Sequence, residues 1–174
     1  MNDLLLLSLL LSGSQHGYAL KKRSGLISGQ PAMHNNLVYP LLRRFVENKW
    51  VKQKVAAGER GQTRQMYSLT PLGRRVLVER LSKFDGSDAH SAEAFHLRVG
   101  LLDLLELQTR HEILDKREAH LKETTAKFAR LETEIPLSRY PKEVVRFLRE
   151  RAEAELEWIA RVRRIDSVTT ARSK

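Results

Sequence analysis

The sequence predicts a mainly α-helical chain in two parts. Residues 1–84 read as an N-terminal winged helix-turn-helix with a two-stranded β-hairpin wing, and residues 85–174 as a C-terminal helical dimerisation domain. Three observations carry this. The first half runs helix, helix, turn, helix, hairpin, helix by its periodicity and breaker residues. The second half is helical, with apolar residues at near-heptad spacing. Charge also changes abruptly: residues 1–84 hold 14 Lys/Arg against 4 Asp/Glu, while residues 85–174 hold 17 against 17, so the net charge of +10 belongs entirely to the first half. A surface that faces a polyanion accounts for this segregation, whereas charge kept for solubility alone does not.

The first helix starts near Asn2 or Asp3 and runs through Leu11, where Ser12 and Gly13 stop it. Being leucine on all sides, it must be buried all round. A second helix spans about Gly17 to Ile27, with Lys21, Lys22 and Arg23 in its middle, and Gly29, Gln30 and Pro31 make the turn. The third helix, about Asn35 to Asn48, has the clearest pattern. At about 100° per residue, Leu37, Val38, Leu41, Leu42, Phe45 and Val46 fill one arc, and Asn36, Tyr39, Pro40, Arg43, Arg44 and Glu47 fill the other. Pro40 is expected near the first turn, where its missing N–H does least harm, with Asn35 or Asn36 as the cap.

Strand-like runs at Trp50 to Ala57 and Thr63 to Leu69, joined by Gly58 to Gln62, make a hairpin. A fourth helix begins with Thr70 as N-cap and Pro71 at its first position, carrying Leu72, Val76, Leu77 and Leu81 to the core. Asp85 to Asp88 read as a linker. Beyond it, one helix is expected from about Ala92 to Glu134, with Leu97, Leu101, Leu104, Leu114, Leu121, Phe128 and Ile135 on its seam. Gln108, His111, Glu118 and Thr125 interrupt that seam, which favours packing against a neighbouring helix over a free coiled coil. A last helix from about Lys142 to Ile165 aligns Val144 or Val145, Leu148, Ala152, Leu156, Ile159 and Val162, and the final nine or so residues are expected to fray.

The outward face of the third helix suits the major groove of B-DNA. Arg43 and Arg44 can meet guanine edges or phosphates, Asn35 and Asn36 can pair with adenine or phosphate, and Tyr39 can donate to a backbone oxygen. The wing offers Arg60, Gln62, Thr63 and Arg64 to the backbone or the adjacent minor groove. Lys21 and Lys22 are assigned to phosphates that set orientation. Leu97, Leu101, Leu104, Leu148, Leu156 and Ile159 are assigned to dimerisation. Phe128, Tyr140 and Trp158, in a half otherwise poor in aromatics, are candidates for a small aromatic or apolar effector, with core packing as the plainer alternative for each.

Cysteine is absent, which excludes disulfides and thiolate zinc sites. The apolar run from Leu4 to Leu11 falls well short of the roughly 20 residues that span a bilayer, so no membrane partner is expected and a cytoplasmic protein is. The six histidines, His16, His34, His90, His96, His111 and His120, show no metal-ligand spacing, and no nucleophile elbow, phosphate loop or dinucleotide fingerprint is present. Asp103 with Glu106, and Glu112 with Asp115, belong to a face of alternating charge. No catalysis, cofactor or metal is expected.

Three segments, Leu9 to Lys22 with its His16-Gly17-Tyr18, Asn36 to Phe45 with Leu37-Val-Tyr39-Pro40-Leu-Leu42, and Arg64 to Arg74 with Tyr67-Ser-Leu69-Thr70-Pro-Leu-Gly73, together resemble the PadR family of bacterial transcriptional regulators. The second half, with Ala154 to Trp158 in its closing helix, is similar to the branch with the longer C-terminal domain. The resemblance implies a homodimeric repressor whose C-terminal helices intertwine on a pseudo-palindromic operator in double-stranded DNA, released in some members by a small molecule. One departure concerns the start of the recognition helix: His34-Asn-Asn-Leu37 stands where the family often has a Ser-x-Gly-Thr type, so the docking mode carries over but the bases read do not. The competing expectation is a winged-helix adaptor that docks an acidic protein without operator specificity.

Overall fold

The computed structural model describes residues 1–28, 32–57 and 63–172. The turn at residues 29–31 and the wing tip at 58–62, with Arg60 and Gln62, lie outside the described residues. Helices α1 (Asn2–Leu9), α2 (Gly17–Ser28), α3 (Asn35–Glu47) and α4 (Pro71–Ser82) surround strands β1 (Gln15–His16), β2 (Val51–Ala57) and β3 (Thr63–Leu69). Four further helices follow, α5 (Gly86–His90), α6 (Ala92–Val99), α7 (Leu107–Glu134) and α8 (Arg139–Arg172). The chain divides into two units, Met1–Lys83 with His96–Leu105, and Phe84–Phe95 with everything from Glu106 onward.

The first unit is the winged helix. Leucines 4 to 7 and 9 of α1 are all buried, as an apolar helix with no polar face must be. They share a core with Leu20, Val38, Leu42, Phe45 and Leu81, each fully buried and each contributing about 1.5–3 kcal/mol by leaving water. Gly13, at φ 112°, ends the first helical segment in a conformation side chains avoid. The hairpin pairs Val51 with Leu69 through Ala57 with Thr63. An element the periodicity does not announce is β1, too short for any pattern, which pairs Gln15 with Tyr67 and His16 with Met66 to make a three-stranded sheet in the order β1-β3-β2.

The apolar arc of α3 is narrower than its sequence suggests. Val38, Leu41, Leu42 and Phe45 are buried, but Leu37 is exposed and Val46 only half-buried. Pro40 lies well inside the helix, whose N-cap is His34 without a side-chain hydrogen bond. The expected position in the first turn is therefore wrong, and α3 gives up the bond a residue-40 N–H would make to the Asn36 carbonyl. At the other end, Lys49 N–H donates to the Val46 carbonyl and Trp50 N–H to the Phe45 carbonyl, both at 2.9 Å, with Lys49 at φ 59°. This is a Schellman closure, and its apolar contact is the Phe45 ring at 5.7 Å from Trp50. Helix α4 starts as predicted: Thr70 Oγ1 accepts from Gly73 N–H at 2.9 Å. Leu72, however, is exposed instead of buried. Arg98, itself buried, donates to the carbonyls of Leu81 and Lys83 where α4 ends, complementing that helix terminus.

The second unit is built on an antiparallel pair, α7 and α8. Its cross-links run in opposite chain directions: Arg110 to Asp166 at 2.7 Å, Arg163 to Glu118 at 2.8 Å, and Arg149 to Glu132 at 3.1 Å. Arg117, only 3% exposed, donates through Nε and Nη2 to both Glu155 oxygens and through Nη1 to the Ala89 carbonyl of α5. Three sequence expectations change. The single helix from Ala92 to Glu134 is interrupted between Val99 and Leu107, where a 3-10 turn, Leu102–Leu104, intervenes. The linker at Asp85 to Asp88 is instead a helix start, with the Asp85 carboxylate accepting from Asp88 N–H at 3.0 Å. Finally, α8 continues to Arg172 where fraying was expected.

Candidate nucleic-acid interface

Helix geometry sorts the candidate residues of α3. Asn36, Pro40, Arg43 and Glu47 recur at intervals of four, three and four and are all exposed, forming the ridge opposite the buried stripe. Asn35 at the helix start is exposed too. Arg43 has no ion-pair partner among the described residues and stands free for a base edge or a phosphate. Tyr39 and Arg44 occupy the two flanks of this ridge.

Arg44 sits about 100° round the helix from Arg43, and its guanidinium meets the Asp3 carboxylate at the start of α1. The same carboxylate accepts from Arg80 of α4 at 2.8 Å, and the Arg80 guanidinium lies over the Trp50 ring at 4.7 Å. The structure therefore does not group Arg44 with Arg43. It places Arg44 in a clasp that ties α1, α3 and α4 together, although half of the side chain still faces solvent.

Tyr39 takes the other flank, beside the sheet. Its ring lies against the backbone of Gly17, where an added Cβ would come within 2.7 Å of Tyr39 Cε1. The glycine of His-Gly-Tyr thus supplies the gap that the tyrosine of Leu-x-Tyr-Pro fills. His16 then caps α2, its Nδ1 accepting from Ala19 N–H at 3.1 Å. The Thr-x-x-Gly segment has a similar reason. A Cβ on Gly73 would stand 2.0 Å from the Trp50 carbonyl oxygen.

Lys22 is exposed on α2 and Lys21 is half-buried, while Thr63 and Arg64 are exposed on β3 at the root of the wing. Arg23 is turned away, donating to Ser12 Oγ at 2.9 Å. Lys52 and Lys54, exposed on β2, add positive charge that the motif reading passed over. The cleft lined by His16, Tyr18, Tyr39, Arg64 and Tyr67 was also missed as a site, although its residues stand in the quoted motifs.

With this geometry in view, residues 6–79 match the family described as the transcriptional regulator PadR-like family. Over that stretch, less than half of its length, the chain resembles this family. Among solved structures, the chain is similar to Bacillus subtilis PadR, determined in complex with operator DNA, at 19% identity over 92% of this chain and 94% of that one, with a TM-score of 0.45. A transcriptional regulator from Clostridium thermocellum is 23% identical over 49% of this chain and 84% of that one, with a TM-score of 0.45. A PadR family regulator from Eggerthella lenta is 35% identical over 43% of this chain and 63% of that one, with a TM-score of 0.38. No curated protein matches the chain. The match falls on the winged helix. Among the described residues, no helix is long and apolar enough to cross a membrane.

Of the residues assigned to dimerisation, Leu97, Leu101 and Leu104 belong to the first unit and are half-buried. In the second unit, Ile159 is fully buried within the protomer, and Leu148 and Leu156 are half-buried. The apolar surface left open on α8 lies elsewhere: Tyr140, Val144 and Phe147, spaced by four and three, are 79%, 56% and 59% exposed. The aromatic candidates for an effector do not converge. Trp158 packs edge-on against Phe95 at 5.9 Å, Phe128 is half-buried on α7, and Tyr140 lies about 27 Å from Trp158 along α8.

Proposed function

We propose that this chain is a PadR-like repressor that binds a pseudo-palindromic operator in double-stranded DNA as a homodimer, α3 of each protomer entering the major groove. The observation that carries this reading is the free, exposed ridge of Asn36 and Arg43 on α3, in the half of the chain that holds all of the excess positive charge. Asn35, Asn36 and Arg43 are assigned to the groove, and Lys21, Lys22, Tyr39, Thr63 and Arg64 to phosphates, together with Arg60 and Gln62 of the wing tip. Arg44 is retained as a secondary phosphate contact, available when Asp3 releases it. One winged helix reads too few base pairs for specificity, which favours a dimer on two half-sites about 34 Å apart. The open Tyr140, Val144 and Phe147 stripe supports a second copy as the partner of α8, and Leu97, Leu101, Leu104, Leu148, Leu156 and Ile159 are kept as framework residues of that assembly.

Release by a small aromatic or apolar ligand completes the proposal. Since Phe128, Tyr140 and Trp158 do not meet within a protomer, a pocket that uses them draws on both copies. Such a ligand shifts DNA affinity only as far as it prefers one arrangement of the dimer over another.

Footprinting on the DNA upstream of the chain's own coding sequence tests the reading. Two protected half-sites about 10 base pairs apart are expected, with Arg43→Ala weakening binding about tenfold. A protein that ignores this DNA yet captures an acidic protein partner through the same face would favour the adaptor.

A further inference from the structure

We propose that the cleft lined by His16, Gly17, Tyr18, Tyr39, Arg64 and Tyr67 seats one backbone phosphate of the bound duplex. The inference rests on the DNA-binding reading above and names a contact that the recognition ridge does not include. The cleft is open to solvent, with a volume of about 620 Å³. Its polar lining is rich in donors and holds no carboxylate, the one remaining residue being the neutral Gln65. Such a set suits an anion.

Tyr67 is the most telling member. Only 7% exposed, it projects from β3 to line the cleft, yet its hydroxyl has no hydrogen-bond partner among the described residues. The ring is buried but the hydroxyl itself reaches solvent, so its O–H is open to a group that arrives from outside. Burial first, then the neighbouring Tyr39 phenol, raises the Tyr67 pKa above its ordinary value, so this group is an O–H donor throughout the neutral range.

His16 adds a second donor by way of its capping role. Because Nδ1 accepts the Ala19 N–H, the proton of the neutral ring resides on Nε2. The first N–H groups of α2, at Gly17 and Tyr18, lack partners within a helix of 12 residues, and the positive end of its dipole favours an anion. Gly17 keeps this end accessible, for any side chain there would occupy the Tyr39 ring position. Arg64 supplies full positive charge from the wing.

Phosphate-ethylation interference on the upstream duplex tests the assignment, comparing the wild type with Tyr67→Phe, Tyr39→Phe and Arg43→Ala. Tyr67→Phe removes one oxygen and keeps the ring. It is expected to weaken binding about tenfold and to abolish interference at one phosphate per half-site. Tyr39→Phe loses the same position, while Arg43→Ala weakens binding but retains it. If the wild type binds no duplex, the regulator reading fails and this inference with it. If the wild type binds and both tyrosine variants keep full affinity and every interference position, this inference alone fails. Inorganic phosphate, at ionic strength matched with chloride, is expected to compete equally with wild type and Tyr67→Phe. Selective loss of wild-type binding would reassign the cleft to the free ion and overturn the duplex assignment.

Discussion

Asp3 sets how much positive charge α3 offers to a partner. It is one of only 4 acidic residues in the first 84, and it faces two arginines, Arg44 and Arg80. Because the cluster is partly exposed, its contribution to stability is small, about 0.5–1 kcal/mol. Its effect on binding is larger, since a carboxylate on Arg44 competes with a phosphate for the same guanidinium. Asp3→Asn is therefore expected to bind nonspecific duplex DNA more tightly and to steepen the salt dependence by about one unit of slope, as read by fluorescence anisotropy across a salt series. An unchanged slope would show that Arg44 never reaches the duplex. His120 provides a prediction in the second unit. Burial, then His90, whose ring centroid lies 4.3 Å away, then Arg117, lowers its pKa, against weaker opposing effects of Glu123 and Glu155. The folded ring thus holds a proton less well than the unfolded one. Stability is complete above the ordinary value of about 6.5 and is lost as pH falls from there through the lowered folded value. The melting temperature should drop across that window, and His120→Gln should flatten the drop.

Element ends show where the fold depends on single residues. Gly73→Ala would drive a methyl group into the Trp50 carbonyl, at the junction of α4 with the strand entry, and is expected to cost about 2–3 kcal/mol in chemical denaturation. Lys49→Gly should act in the opposite direction. Relieving a non-glycine residue in the left-handed region of the Schellman closure should stabilise by about 0.5–1 kcal/mol. The elements of the winged helix were legible because each has its own punctuation: Gly13 after α1, Thr70-Pro71 before α4, and a strong apolar stripe along α3. The interruption between α6 and α7 was not legible. In the run Gly100 to Leu105, leucines at 101, 102, 104 and 105 suit a heptad seam as well as a compact turn, and tertiary packing chose to bury Leu102 and Leu105 instead of Leu101 and Leu104. Likewise β1, two residues long, exists only through its pairing with β3. At the site, α3 and the wing root could be read from charge and spacing. The Asp3 clasp and the tyrosine cleft could not, because both bring together residues far apart in the chain.

Across the whole chain, charge and fold divide the work. The first unit carries the excess positive charge and the exposed ridge, while the neutral second half ties α7 to α8 with ion pairs. Arg117 is the centre of that second unit, almost wholly buried against Glu155 and Ala89. Arg117→Ala would remove the buried guanidinium from which both Glu155 oxygens accept and is expected to cost about 3–5 kcal/mol, seen as early unfolding of the helical unit. The measurement that bears most directly on the central claim is the dependence of duplex affinity on salt. Two protomers that each neutralise about four phosphates predict a slope of log K against log salt of about −7. A slope shallower than about −3 would contradict the account, because a basic winged helix acting as a dimer on DNA must release more counterions than that.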